Sequence, residues 1–189
     1  MNRKISCMFG CIVASIIFVG CSKTVDLQGD NYECEDSDEC VVCHVDGSEA
    51  QNLEESGLYI QVGDVDIKSS SDPKDILDKL GEPDDTFTYK FCGTQNDAYE
   101  YTYNDGVAFN TYPSDGKDYV ECVTITSDKG ELSNGIKVGD TRDQVLEALG
   151  ESTCYVENES DFYEYHNAGI TISYADGAVS SIYLYFYEP

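Results

Sequence analysis

The sequence has no tryptophan, only two histidines, and 11 basic side chains against 37 acidic ones. Each shortage excludes something. Affinity for phosphate backbones comes from Lys and Arg, so a chain this acidic is not a nucleic-acid binder, and anionic lipid surfaces are disfavoured too. With His44 and His166 as its only imidazoles, a Ser-His-Asp set has to centre on His166, which continues a strand-like stretch and reads as an exposed strand residue. No phosphate-binding loop or dinucleotide fingerprint occurs, and carboxylates are too numerous for a glycosidase pair to stand out. Beyond residue 20 no apolar run approaches the roughly 20 residues that a spanning helix requires. What the chain does have is 15 tyrosines and nine cysteines.

The first residues carry an address. Arg3 and Lys4 precede an uncharged apolar stretch, Ile5 to Val19, as in an export signal. It closes on Phe18-Val19-Gly20-Cys21, which resembles the lipobox of bacterial lipoproteins. The resemblance implies cleavage after residue 20 and a diacylglycerol on the sulfur of Cys21. It also implies an extracytoplasmic location, membrane-anchored on the cell surface or the periplasmic face. Each buried methylene contributes about 0.8 kcal/mol, so two or three acyl chains hold a protein domain on a bilayer. Without Arg3 and Lys4, nine basic side chains face 37 acidic ones, a formal charge of −28. That surface favours cationic partners.

Residues 22–56 contain eleven acidic side chains, one lysine and few large apolar groups. Such a segment cannot bury enough surface to offset the entropy of ordering, so residues 21–56 read as a lipidated, disordered tether.

From Gly57 a duplication is legible. Residues 67–82 align without gaps on 136–151, with six of sixteen positions identical, both stretches ending Leu-Gly-Glu. Ala98-Tyr99-Glu100-Tyr101 aligns on Phe162-Tyr163-Glu164-Tyr165, Gly106-Val107 on Gly169-Ile170, and Asp115-Gly116 on Asp176-Gly177. The units are 57–130 and 131–189. Each opens with a short helix. In the first, Asp72 is the N-cap, Pro73 takes the first helical position and Gly81 is the stop. In the second, Thr141 to Gln144 reads as a capping box and Gly150 as the stop. Strands are expected near 86–92, 98–103, 107–112 and 119–126, then near 154–158, 162–166, 169–174 and 178–187, with an extra hairpin over 59–67. The expected architecture is α+β: two tandem repeats, each a short helix packed on an antiparallel meander sheet.

The helix ending in Leu-Gly-Glu, followed by a Tyr-rich meander, resembles the tandem fold of β-lactamase-inhibitor proteins. It also resembles the single-unit small lipoproteins of outer-membrane assembly. Similar lipobox-plus-tandem chains occur among surface lipoproteins of Gram-positive anaerobes. The resemblance covers about 57–189 and implies a protein- or peptide-binding or envelope-assembly role, but its motifs are structural and transfer no functional residue. The chain lacks the tryptophans of an inhibitor's binding face.

Two features bear on chemistry. Cys40-Val41-Val42-Cys43-His44 has the pattern of a c-type haem attachment site, and with Cys34 it could hold zinc. The surrounding acidic, apolar-poor stretch supplies no dry pocket for either, and the acidic neighbours oppose a reactive thiolate. Disulfides are the plainer expectation for Cys34, Cys40, Cys43, Cys92, Cys122 and Cys154, an even number in an exported chain. The expected pairing is Cys92 to Cys122, with Cys154 competing. In the last strand Ile182, Leu184 and Phe186 alternate with Tyr183, Tyr185 and Tyr187. If the first set faces the helices, the second forms a stripe on the other face, either open for binding or buried between packed repeats. Taken together, these features predict a non-catalytic module on a membrane anchor, with an extracytoplasmic protein or peptide as partner. The alternative is a small redox or metal lipoprotein.

Overall fold

A computed structural model of the protein describes residues 41–43 (backbone), 53–91, 96–157 and 159–187. Cys21, Cys34, Cys40, His44 and Cys92 lie outside the described residues. Among those described, no helix is long and apolar enough to cross a membrane.

The elements run β1 (Val41–Cys43), α1 (Leu53–Ser56), β2 (Ile60–Val62), β3 (Val65–Ile67), α2 (Pro73–Leu80), β4 (Asp85–Lys90), β5 (Asp97–Tyr103) and β6 (Val107–Ser114). There follow β7 (Lys117–Ile125), β8 (Gly130–Leu132), α3 (Arg142–Leu149), β9 (Cys154–Val156), β10 (Ser160–Glu164), β11 (Ala168–Ala175) and β12 (Ala178–Phe186). The fold is α+β, mostly strand. One sheet has nine strands in the order β1-β9-β10-β11-β12-β7-β6-β5-β4, and a second has three in the order β3-β2-β8. All pairings are antiparallel.

The helices start and stop where the residue types dictate. The Asp72 carboxylate accepts from the Lys74 N–H at 2.8 Å, and Pro73 fills the first turn, where its missing donor costs nothing. Thr141 and Gln144 close the capping box, the Gln144 amide oxygen taking the Thr141 N–H at 2.8 Å. Gly81 and Gly150 adopt φ of 88° and 79° and return their N–H to Leu77 and Leu146. Beyond each cap a tyrosine locks the end: Tyr103 donates to the Gly81 carbonyl at 3.0 Å and Tyr163 to that of Gly150 at 3.3 Å. Tyr103 stands opposite Val107, and Tyr163 opposite Ile170. Tyr103 and Tyr163 thus close the ends of α2 and α3 alike. The hairpins β6–β7 and β11–β12 turn through Asp115-Gly116 and Asp176-Gly177, all four with φ of 50–80°, the signature of a type I′ turn.

One core joins all of this. Phe109, Val123, Ile125, Ile170, Ile172, Ile182 and Leu184 from the large sheet pack with Ile60, Ile67 and Leu132 of the small one, and with Ile76 and Val145 of the helices. The helices and the small sheet thus cover one face of the large sheet. β8 approaches β7 so closely that a Cβ on Gly130 would sit 2.6 Å from Ile125 Cδ1. Leu53 is 2% exposed and its N–H reaches the Asn167 side chain at 2.9 Å. The expected tether boundary at 56 is therefore too late. Leu53–Ser56 is a helical turn of the domain, and Val41–Cys43 is a strand paired with β9.

Candidate functional site

The two halves meet edge to edge. β12 pairs with β7, putting Tyr183 opposite Thr124 and Tyr185 opposite Cys122. Strand alternation buries Ile182, Leu184 and Phe186 on the covered side, which turns Tyr183, Tyr185 and Tyr187 to the opposite, helix-free side. They form the expected stripe, with centroids 6.4 Å apart from Tyr183 to Tyr185 and 5.7 Å from Tyr185 to Tyr187. Because the halves lie side by side in one sheet, they do not close over the stripe. Tyr183 and Tyr185 are half-buried and Tyr187 is exposed. Tyr187 lies over Gly169, where a Cβ would come within 3.0 Å of its hydroxyl, and it donates to the Glu164 carboxylate at 2.8 Å.

A bulge brings a second carboxylate into this face. Asn110 pairs with Cys122 and Thr111 with Val120, so Glu121 is the extra residue of β7. Its carboxylate accepts from the Tyr89 hydroxyl at 3.1 Å, which in turn takes a hydrogen bond from the Asn110 amide at 3.5 Å. Asn110 also hydrogen-bonds Glu100, whose carboxyl is pushed up chiefly by burial. Burial, and then the Glu121 charge, push the Tyr89 phenol well up. The network Glu100–Asn110–Tyr89–Glu121 spans four strands. Beyond it Phe91, Tyr112 and Tyr119 stack at 5.7 and 5.5 Å. The helix-free side therefore presents aromatic rings interleaved with three carboxylates, Glu100, Glu121 and Glu164. Such a surface offers π faces and hydrogen-bond acceptors to a cationic partner.

Cys122 sits inside this face, 6% exposed. It is a free thiol, so the expected bridge to Cys92 is not made. Burial pushes its thiol up to about 12, the Tyr183 hydrogen bond opposing and the Glu121 charge reinforcing. It is held protonated and inert at neutral pH. Cys154 does take part in a disulfide.

On the covered side one ionic knot escaped the sequence reading. Asp161 is 4% exposed and accepts from Arg142 Nε at 3.0 Å and Nη2 at 2.7 Å, from Ser152 at 3.3 Å and from Tyr174 at 2.7 Å. The guanidinium also lies over the Tyr155 and Tyr174 rings at 5.3 and 5.9 Å. A buried carboxylate often marks catalysis, but four donors saturate this one, and it ties α3 to β10. The available signal was Arg142, the one arginine outside the N-terminal segment. His166 is exposed, as expected, but it sits in the bend between β10 and β11 and not on a strand.

No protein-family model matches the chain, and no curated protein does. Among solved structures, a cysteine-rich secretory protein from Staphylococcus aureus is similar at 11% identity and a TM-score of 0.44, over 61% of this chain. The similar part spans 42% of that protein's length. A likeness this slight carries no argument.

Proposed function

We propose that the protein is a membrane-anchored, extracytoplasmic interaction module with no catalysis of its own, and that the helix-free face of its large sheet binds a cationic protein or peptide. The observation that carries this reading is the stripe Tyr183, Tyr185, Tyr187 at the junction of the halves, flanked by Glu121 and Glu164. Tyrosine gives large contact area and a hydroxyl at low entropy cost, and aromatic residues are enriched in interface cores. The lipobox-like Phe18 to Cys21 supports the anchor. The matching caps, tyrosine locks and turns of the two halves support a tandem duplication of one α+β unit, of the kind seen in β-lactamase-inhibitor-like proteins. Side by side, the units make one binding face from two.

Tyr185 is the discriminating position, because it lies in the stripe without touching the helix-side core. The complex solubilised from the native envelope in mild detergent should elute larger than the isolated protein. In Tyr185→Ser that excess mass should be lost while the melting temperature stays within about 3 °C. A complex that survives Tyr185→Ser unchanged removes the stripe from the binding surface.

A further inference from the structure

We propose that the disulfide of Cys154 closes onto Cys43, so that the segment leading from the lipid is riveted to the outer strand of the large sheet. β1 pairs antiparallel with β9, and the register sets Cys43 directly opposite Cys154. Cα atoms of facing residues in antiparallel strands lie about 4.5–5.5 Å apart, inside the roughly 4.4–6.8 Å that a disulfide bridges. Cys154 is disulfide-bonded and Cys122, the other cysteine among the described residues of the β4–β12 stretch, is a free thiol. β1 is three residues long, so it offers few backbone hydrogen bonds to hold it on the edge. A covalent bond supplies what the pairing lacks.

Formation is an ordinary exchange. The two thiols give up two protons and two electrons to an external disulfide, which leaves as a dithiol, and one S–S bond forms within the chain. Three consequences follow. The bridge caps an edge that would otherwise invite pairing with another chain. It moves the point of attachment from Leu53 to the edge strand β9, 22 rather than 32 positions along the sequence from Cys21. This consequence rests on the lipid anchor proposed above. The bridge also consumes one thiol of Cys40-Val41-Val42-Cys43-His44, which removes the haem and zinc readings from the oxidised protein.

Tryptic digestion of the full chain without reductant decides the matter. Cleavage after Lys23, Lys68 and Arg142 should leave fragment 24–68 joined to fragment 143–189. Fragmentation of the joined pair should place the bond between Cys43 and Cys154, and dithiothreitol should abolish the joined mass. Cys40→Ser should leave the joined pair intact. Linkage of 143–189 to the fragment holding Cys92, a bond placed on Cys34 or Cys40, or no linkage at all would each overturn the assignment. The linkage is read by mass, blind to lipidation and to whether the open face binds anything, so it can fail or stand independently of the binding-face reading.

Discussion

Raising the pH above about 10 should unfold this protein cooperatively. The phenols of Tyr89, Tyr163, Tyr174 and Tyr183 are all pushed up from their ordinary value of 10.0, in each case chiefly by burial. The hydrogen bond to Asp161 holds Tyr174 higher still, as the Cys122 contact does Tyr183. The sign follows from linkage. A group whose folded pKa lies above its unfolded value contributes stability that is fully present below the unfolded pKa and is lost as pH rises toward the folded one. Above pH 10 the unfolded chain sheds these protons and the folded chain keeps them. A phenol so protected costs up to about 1.4 kcal/mol of stability per pH unit. Tyr163, 6% exposed, is the most shielded from water and comes nearest that limit. Tyr89, Tyr174 and Tyr183 are half-buried and contribute less each. Phenolate absorbance and far-ultraviolet circular dichroism, followed together, should show these four tyrosines ionising only as the sheet signal collapses. Ionisation of every tyrosine near 10 with the sheet intact would contradict the desolvated phenols.

Phe109→Ala should cost about 3–5 kcal/mol, the usual loss for deleting a buried aromatic ring. Phe109 is fully buried at the centre of the single core, and its ring packs against that of Tyr101 at 5.0 Å. For a domain of this size that should lower the melting temperature by about 10–20 °C. Phe87 is the control: it lies on the outer strand β4, 49% exposed, and Phe87→Ala should stay within about 0.5 kcal/mol. Similar losses for the two would mean that the core is not where these contacts place it.

The local signals in the sequence were read well because each is a nearest-neighbour effect. Asp72-Pro73 and the Thr141 to Gln144 box act within four residues, and period-two alternation in β12 sorted its side chains onto the faces they occupy. What could not be read depends on pairing between distant segments. Nothing local places β12 beside β7 or gathers β8 with the first hairpin into a second sheet. Tyr-Glu-Tyr occurs at both 99–101 and 163–165, and only the bonds to the Gly81 and Gly150 carbonyls reveal that Tyr103 and Tyr163 are the tyrosines that close the helices. The Arg142–Asp161 knot and the isolation of Cys122 are likewise matters of distance in space. The stretch 41–43 reads as tether because its acidic, apolar-poor surroundings mask two valines that suit the edge strand it forms.

The most direct test of a binding face between the tyrosines places a photo-reactive phenylalanine analogue at Tyr185 or, as a control on the helix side, at Leu146, which is 50% exposed. With the full chain expressed in its native envelope and irradiated, adducts should form at position 185, in the membrane fraction, and not at 146. Equal adducts at both positions, or none at 185, would contradict the account.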